Sequence, residues 1–285
     1  MIHTLSRSHR RRVLWPPAVA GGGGGGDWGG LFDDYQSDFY CAWSMRQLFS
    51  DWSGALARMK RSTDNDEEDF GPAADGIIDL DAYTAWAAGT VTVVKWYDQT
   101  GNGYDLEQFL SYNLPPFTTS GENGRPCIAF DGSSMLGMDY FHNQGGAALD
   151  EWQAYISAEQ DATDWNILLH TAAYNVYLQC AHPGASDVMR FAMGVNIDWS
   201  LASSSGWRVW TLQGDATSSY SQAAWENGAS KGTSTSAGYQ FNRMLFGGAG
   251  EGTFWIGDAC ELLLTNVHSS SRSAIEDLLM DFSGI

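Results

Sequence analysis

Basic residues are scarce in this sequence: 15 Lys and Arg stand against 34 Asp and Glu, for a formal net charge of −19. A phosphate-binding surface needs clustered cations, so this acidic balance excludes nucleic acid as the partner of the main body. Cysteine is also sparse. Cys41, Cys127, Cys180 and Cys260 are isolated, and none forms the CxxC pair of a zinc site. Each sits among apolar residues, so the expected state is buried free thiols, as in a reducing cytoplasm. No stretch approaches the roughly 20 apolar residues of a membrane-crossing helix. No secretory leader is expected either, because only Val13, Leu14 and Trp15 separate the early arginines from Pro16 and Pro17. The six histidines show no HExxH or paired spacing, and neither a GxSxG elbow nor a GK[ST] loop occurs. No metal or cofactor is expected.

What is present divides the chain into two parts of opposite charge. Residues 1–30 hold Arg7, Arg10, Arg11 and Arg12, then Trp15-Pro16-Pro17 and the glycines Gly21 to Gly26, with no acid before Asp27. Without those four arginines the remainder carries −23, since −19 less +4 is −23. The glycine run is a flexible coil, and ~25 residues fully extended reach at most ~80–90 Å. Two readings of this arm stand: a solvated basic terminus, and an anchor that orders on binding. The acid-free start also fits a transit peptide, a reading that Pro16, Pro17 and the glycines fit poorly.

From residue 31 onward the sequence reads as one β-rich domain. Aromatics make up 13%, enough for a large core, and 33 glycines mark many turns. Cys41, Met45, Leu48, Phe49 and Trp52 share one helical face, which predicts a helix with Asp38 as N-cap and Gly54 just past its end. Ala55 to Arg61 alternates as a half-buried strand. Ser62 to Phe70 reads as an acidic loop, and its Asp64–Asp69 run could hold calcium but lacks the glycine and glutamate of an EF-hand. A short helix is expected over Asp79–Ala88, then a strand from Val91 to Tyr97. Tight turns follow at Asn102-Gly103 and Asn123-Gly124, the latter before a Cys127–Phe130 strand. Apolar runs then recur at Trp152–Ser157, Trp165–Leu169, Tyr174–Gln179, Val188–Met193, Trp207–Leu212, Ala223–Glu226, Arg243–Gly247 and Phe254–Thr265. Their spacing predicts an antiparallel sandwich. Ser269 to Phe282 reads as a closing helix with a Ser cap and Ile275, Leu278, Leu279 and Phe282 on one face. Trp43, Trp96, Trp207, Trp210 and Trp255 can fill the core or form a sugar-stacking platform.

Three segments together carry a family resemblance: Met45-Arg46-Gln47-Leu48, Arg61-Ser62-Thr63-Asp64-Asn65, and Trp96-Tyr97-Asp98-Gln99-Thr100-Gly101-Asn102-Gly103. This set resembles the start of the catalytic domain of α-L-arabinofuranosidase B. Gly252 to Leu264 and Ser273 to Leu279 are similar to the closing strand and helix of concanavalin A-like, laminin-G-like sandwiches, a pattern also met in bacteriophage structural proteins. The resemblance implies an all-β, concanavalin A-like antiparallel sandwich (a jelly roll) with a few short helices and an extended N-terminal arm. A retaining glycosidase needs two carboxyl groups about 5–5.5 Å apart. Where the family's acid/base aspartate would follow a Gly-Gly pair, this chain has Ala249 after Gly247-Gly248. The family's nucleophile segment has no match, and Glu226-Asn227-Gly228 reads as a hairpin turn instead.

No catalytic residue is therefore assigned. The expectation is a bacteriophage virion protein, a capsid-decoration, head-fibre or tail-associated subunit assembled in the host cytoplasm. Arg7, Arg10, Arg11, Arg12 and Trp15 would dock it on capsid or tail subunits, with self-association and surface glycans as further partners and no membrane contact. The motif residues Trp96, Tyr97, Asp98, Gln99, Gly101, Asn102 and Gly103 are expected to be structural, with Asp98 tying down the end of a ladder. The alternative expectation is a carbohydrate-binding module or glycoside hydrolase related to arabinofuranosidase.

Overall fold

A computed structural model describes residues 30–108, 112–121, 124–138, 149–160, 166–171, 176–182, 185–201, 206–217, 221–235, 241, 244–248, 254–266 and 269–285. The docking residues Arg7, Arg10, Arg11, Arg12 and Trp15, together with the Gly21–Gly26 run, Asn123 and Ala249, lie outside them. A 3-10 turn at Asp33–Asp38 leads into β1 (Phe39–Ser44), β2 (Ala57–Arg61) and β3 (Glu67–Phe70). Helix α1 (Leu80–Trp86) precedes β4 (Val91–Trp96), β5 (Leu106–Glu107), β6 (Phe117–Thr118), β7 (Cys127–Asp131) and β8 (Leu136–Gly137). The longer strands follow: β9 (Glu151–Gln160), β10 (Asn166–Thr171), β11 (Val176–His182), β12 (Ala185–Met193), β13 (Asn196–Ser200) and β14 (Gly206–Asp215). Next come β15 (Ser221–Glu226), β16 (Ala229–Thr235), β17 (Met244–Phe246), β18 (Ile256–Thr265) and helix α2 (Arg272–Ser283).

These strands form two antiparallel sheets. One runs β16-β15-β14-β9-β18-β7-β6, with β1 pairing the second half of β18 beyond β7. The other runs β13-β12-β11-β10-β17-β8-β5-β4-β2-β3. Side chains of alternating strand positions meet between the sheets, as a sandwich requires. Trp152, Ala154, Ile156 and Ala158 of β9 belong to this shared core with Trp210 and Leu212 of β14 and Leu178 and Phe191 of the facing sheet. Trp43, Trp96, Trp207, Trp210 and Trp255 are all buried, so these five fill apolar interior rather than an exposed sugar platform.

The first sheet is covered on its outer side as well. Tyr155, Val209 and Leu263 point there and pack against Ile275 and Leu279 of α2 and against Phe32, Phe39 and Phe49 from the start of the described chain. This double coverage explains one correction. Cys41 to Trp52 was expected to be helical, but residues 39–44 form β1 and Asp38 ends the 3-10 turn. A strand buried on both faces loses its polar-apolar alternation, and its apolar spacing then mimics a helix. Asp38 instead accepts a hydrogen bond from Ser269 Oγ at 2.9 Å.

Further differences have equally local causes. The acidic run is half strand, because Arg58 stands opposite Asp69 and Lys60 opposite Glu67 in the β2–β3 register, where unlike charges pair across the ladder. Strands β13 and β16 were not anticipated; β16 is a polar edge strand without an apolar face. Each apolar run named between Trp152 and Thr265 overlaps a strand, although Trp165, Tyr174 and Arg243 lie outside the described residues. The closing helix is present, but no side chain caps it at Ser271, and Leu278 is only partly buried. Asn227 and Gly228 take φ values of 50° and 75° between β15 and β16, the hairpin geometry expected of Asn-Gly.

The cysteines also depart from expectation. Cys127 on β7 and Cys260 on β18 occupy facing positions with Cα atoms 4.7 Å apart and are joined as a disulfide. Only a fold that pairs strands 133 residues apart in sequence brings them together, so isolated spacing could not reveal it. Cys41 is a buried free thiol. With one pair oxidised, the cysteines no longer argue for a reducing compartment.

Candidate functional site

The motif from Trp96 to Gly103 folds into a clamp at the end of β4. Trp96 is buried against Phe246, with ring centres 6.2 Å apart. The Asp98 carboxylate accepts from Ala42 N at 3.0 Å, from Thr100 N at 3.1 Å and from Tyr104 N at 3.2 Å, and Thr100 Oγ1 donates to it as well. Burial holds this carboxyl above its usual range, and the backbone donors oppose that shift. Gln99 accepts from Leu48 N at 2.8 Å and donates to the Ser44 and Arg46 carbonyls. Asn102 donates to the Tyr40 carbonyl at 2.9 Å. Gly101 and Gly103 both sit at φ 80°, which only glycine adopts without strain. The motif thus fastens β1 and its continuation to the β4 end. Asp98 is 1% exposed, and its oxygens are taken up by backbone N–H groups and the Thr100 hydroxyl.

Tyr97 points the other way, toward β3. Its hydroxyl donates to Asp69 at 2.8 Å, and Arg58 grips the same carboxylate with two bonds of 2.9 and 2.8 Å. Those donors hold the Asp69 carboxyl below the ordinary range. Between β3 and α1 lies a cleft of about 340 Å³ lined by Glu68, Asp69, Phe70, Gly71, Pro72, Asp79, Ala82 and Trp86. Helix α1 starts here because the Asp79 side chain accepts from Ala82 N, an N-cap. The helix returns Trp86 over Phe70, with ring centres 5.3 Å apart in edge-to-face contact. Arg61 braces the indole, its guanidinium 5.0 Å from the ring centre, while Trp86 Nε1 donates to Asp66 at 3.1 Å. An aromatic wall beside carboxylates can stack on a flat or cationic group and bond its donors.

A second charged corner joins the two sheets. Glu226 at the end of β15 is buried and accepts from Trp199 Nε1 of β13 at 2.6 Å, with Arg208 at 3.4 Å and Lys231 at 3.7 Å. Its oxygens are committed to the hairpin and the sandwich edge. Near the Gly-Gly pair, Gly248 bridges Phe254; Ala249 between them is outside the described residues. The acidic run holds no group of ligands arranged for a metal among the described residues.

Trp86, Phe70, Glu68 and Asp79 line the cleft; the sequence marked Glu68 only within the acidic run weighed for calcium and Asp79 only as a helix start, and it did not bring the four together. The signal available was the charge alternation of Arg58 and Lys60 against Glu67 and Asp69, which marks a strand pair and so places Glu68 and Phe70 together on its other face.

No protein-family model matches the sequence, and no curated protein matches it. Solved structures do match. An arabinofuranosidase complexed with arabinofuranosyl-α-1,2-xylobiose aligns with TM-score 0.70 and 17% identity, over 88% of this chain and 65% of that one. A GH54 α-L-arabinofuranosidase soaked with a cyclic sulfate inhibitor aligns with TM-score 0.71 and 17% identity, over the same shares. The chain spans 65% of the length of these solved enzymes. At that identity the likeness concerns architecture alone. The fold of this chain is the antiparallel β-sandwich of those arabinofuranosidases.

Proposed function

We propose that this chain is a structural protein of a bacteriophage virion, a capsid-decoration, head-fibre or tail-associated subunit. It docks through its N-terminal arm and displays a lectin-like sandwich without glycosidase activity. The observation that carries the reading is the division of charge, with Arg7, Arg10, Arg11 and Arg12 in a segment free of acids and −23 on the rest. An anchor of one sign on a body of the other can bind a neighbour while the body stays in solvent. Ala249 in place of the expected acid, and the burial of Asp98, support display rather than hydrolysis. Many copies on one particle would raise weak glycan contacts to useful strength through effective concentration. The test is co-sedimentation of the full chain with particles from the source lysate, beside R10A/R11A/R12A. The wild type is expected in the pellet and the variant, with an unchanged circular dichroism spectrum, in the supernatant. Equal incorporation of both would overturn the reading.

The fold itself favours a second reading, a carbohydrate-binding module or an arabinofuranosidase-related hydrolase. It predicts sugar-dependent protection of the Trp86 cleft or turnover of an aryl glycoside by the isolated protein.

A further inference from the structure

The cleft between β3 and α1 has a chemistry that one segment of this same chain complements. Its walls bring Glu68, Asp69 and Asp79 beside the rings of Phe70 and Trp86. From Ala57 to Trp86, eight carboxylates stand against three cations, so five negative charges remain in excess around it. Glu68 is exposed on an edge strand. The combination of an indole and carboxylates is what a guanidinium recognises, through stacking and forked hydrogen bonds. Arg61 displays that chemistry on the spot, lying over Trp86 while it bonds Asp64 through two nitrogens.

The basic segment of the sequence is the arm, and a relay of contacts links the first described residue to the cleft wall. Asp33, bonded to the Gly30 carbonyl, accepts from Ser50 N at 2.8 Å. The strip from Ser50 then reaches Gly54, whose carbonyl lies against Gly71 on the cleft wall. Fourteen residues lie between Trp15 and Gly30, a span of up to ~50 Å when extended. The glycines among them make closure of that loop inexpensive in entropy. A tethered segment also meets its site at an effective concentration near the millimolar range, which favours the chain's own arm over that of a second molecule.

We infer that the cleft lined by Glu68, Asp79 and Trp86 receives the arginines of the chain's own N-terminal arm, Arg7 to Arg12, in the free protein. The arm is thereby stored on the body until a stronger acceptor takes it. The inference shares the arm with the proposed function but not the particle, since the contact belongs to the unassembled protein.

Amide hydrogen exchange of the full chain tests this at low and high salt. Replacing Arg7, Arg10, Arg11 and Arg12 by Ala is expected to speed exchange over residues 67–86 about tenfold at low salt. Exchange in β14 is expected to stay unchanged, and 0.5 M salt to produce the same loss in the wild type. Glu68→Lys, an exposed change outside the core, is expected to reproduce the effect. Protection that ignores the arginines, the salt and Glu68→Lys alike would overturn the inference. Protection that rises with protein concentration would overturn the choice of the chain's own arm in favour of a second copy. If exchange is indifferent while R10A/R11A/R12A still fails to co-sediment with particles, the stored arm is lost and the docking arm stands.

Discussion

Arg46 donates through Nε to Glu261 at 2.6 Å, and neither side chain is more than 2% exposed. Ser44 donates to the same carboxylate at 3.0 Å. The Phe282 ring lies against both the Arg46 guanidinium, at 3.9 Å, and that of Arg125, at 4.2 Å. Burial drives the Arg125 guanidinium down to about 10. One carboxylate on β18 therefore gathers β1 and the last turn of α2 into a single buried cluster.

Breaking that pair from one side strands a charge. Glu261→Ala should cost about 3–5 kcal/mol, whereas the apolar pair Arg46→Met with Glu261→Leu should cost far less. Urea unfolding of both variants checks this. A double variant as unstable as the single one would show that packing, not the stranded charge, sets the cost.

His170 on β10 is 1% exposed, and burial pushes its imidazole down to about 4. The unfolded chain takes a proton near pH 6.5 that the folded chain refuses until about pH 4. Stability should therefore be full above 6.5 and fall as pH drops through that window, by up to about 3 kcal/mol. His170→Gln should flatten this part of the stability profile measured between pH 7 and 4. An unchanged slope in the variant would assign the acid sensitivity to other groups.

The Cys127–Cys260 link closes a loop of 133 residues between neighbouring strands. Loop-closure entropy sets its contribution at about 4–5 kcal/mol as a ceiling. Thermal unfolding with and without reductant should show a lower midpoint in the reduced protein. Alkylation of the unreduced, unfolded chain should spare Cys127 and Cys260 while labelling the cysteines outside the link; labelling of either of those two would contradict it.

Gly257 on β18 sits at φ 144°, and a Cβ there would run into the Glu159 carbonyl oxygen on β9. A backbone atom cannot swing aside like a side chain. Gly257→Ala should destabilise by about 2–3 kcal/mol, more than Gly101→Ala, whose Cβ would meet open space. Paired denaturation curves decide the order.

Much of this architecture was legible where one face of a strand meets water. Ala57 and Met59 are buried while Arg58 and Lys60 reach outward, and that alternation marks β2 in the bare sequence. Legibility failed where both faces are covered, as at Phe39–Ser44, or neither is apolar, as in β16. The Asp98 turn could be read because Asx and glycine chemistry is local. The cleft could not, because Glu68 and Trp86 meet only once β3 has paired with β2 and α1 has folded back across Phe70. Pairings such as Arg46 with Glu261, 215 residues apart, leave no local trace at all.

The pairing of β1 with β18 has a mechanical consequence. Phe39, where β1 begins, stands opposite Thr265, where β18 ends, so the two outward paths of the chain leave from the same end of this ladder. A pull between the two ends would open the seam like a zipper, one rung at a time, instead of shearing all rungs together. A body held by its leading end alone carries no such load, and fluid drag on it would tug the tether while leaving that seam at rest.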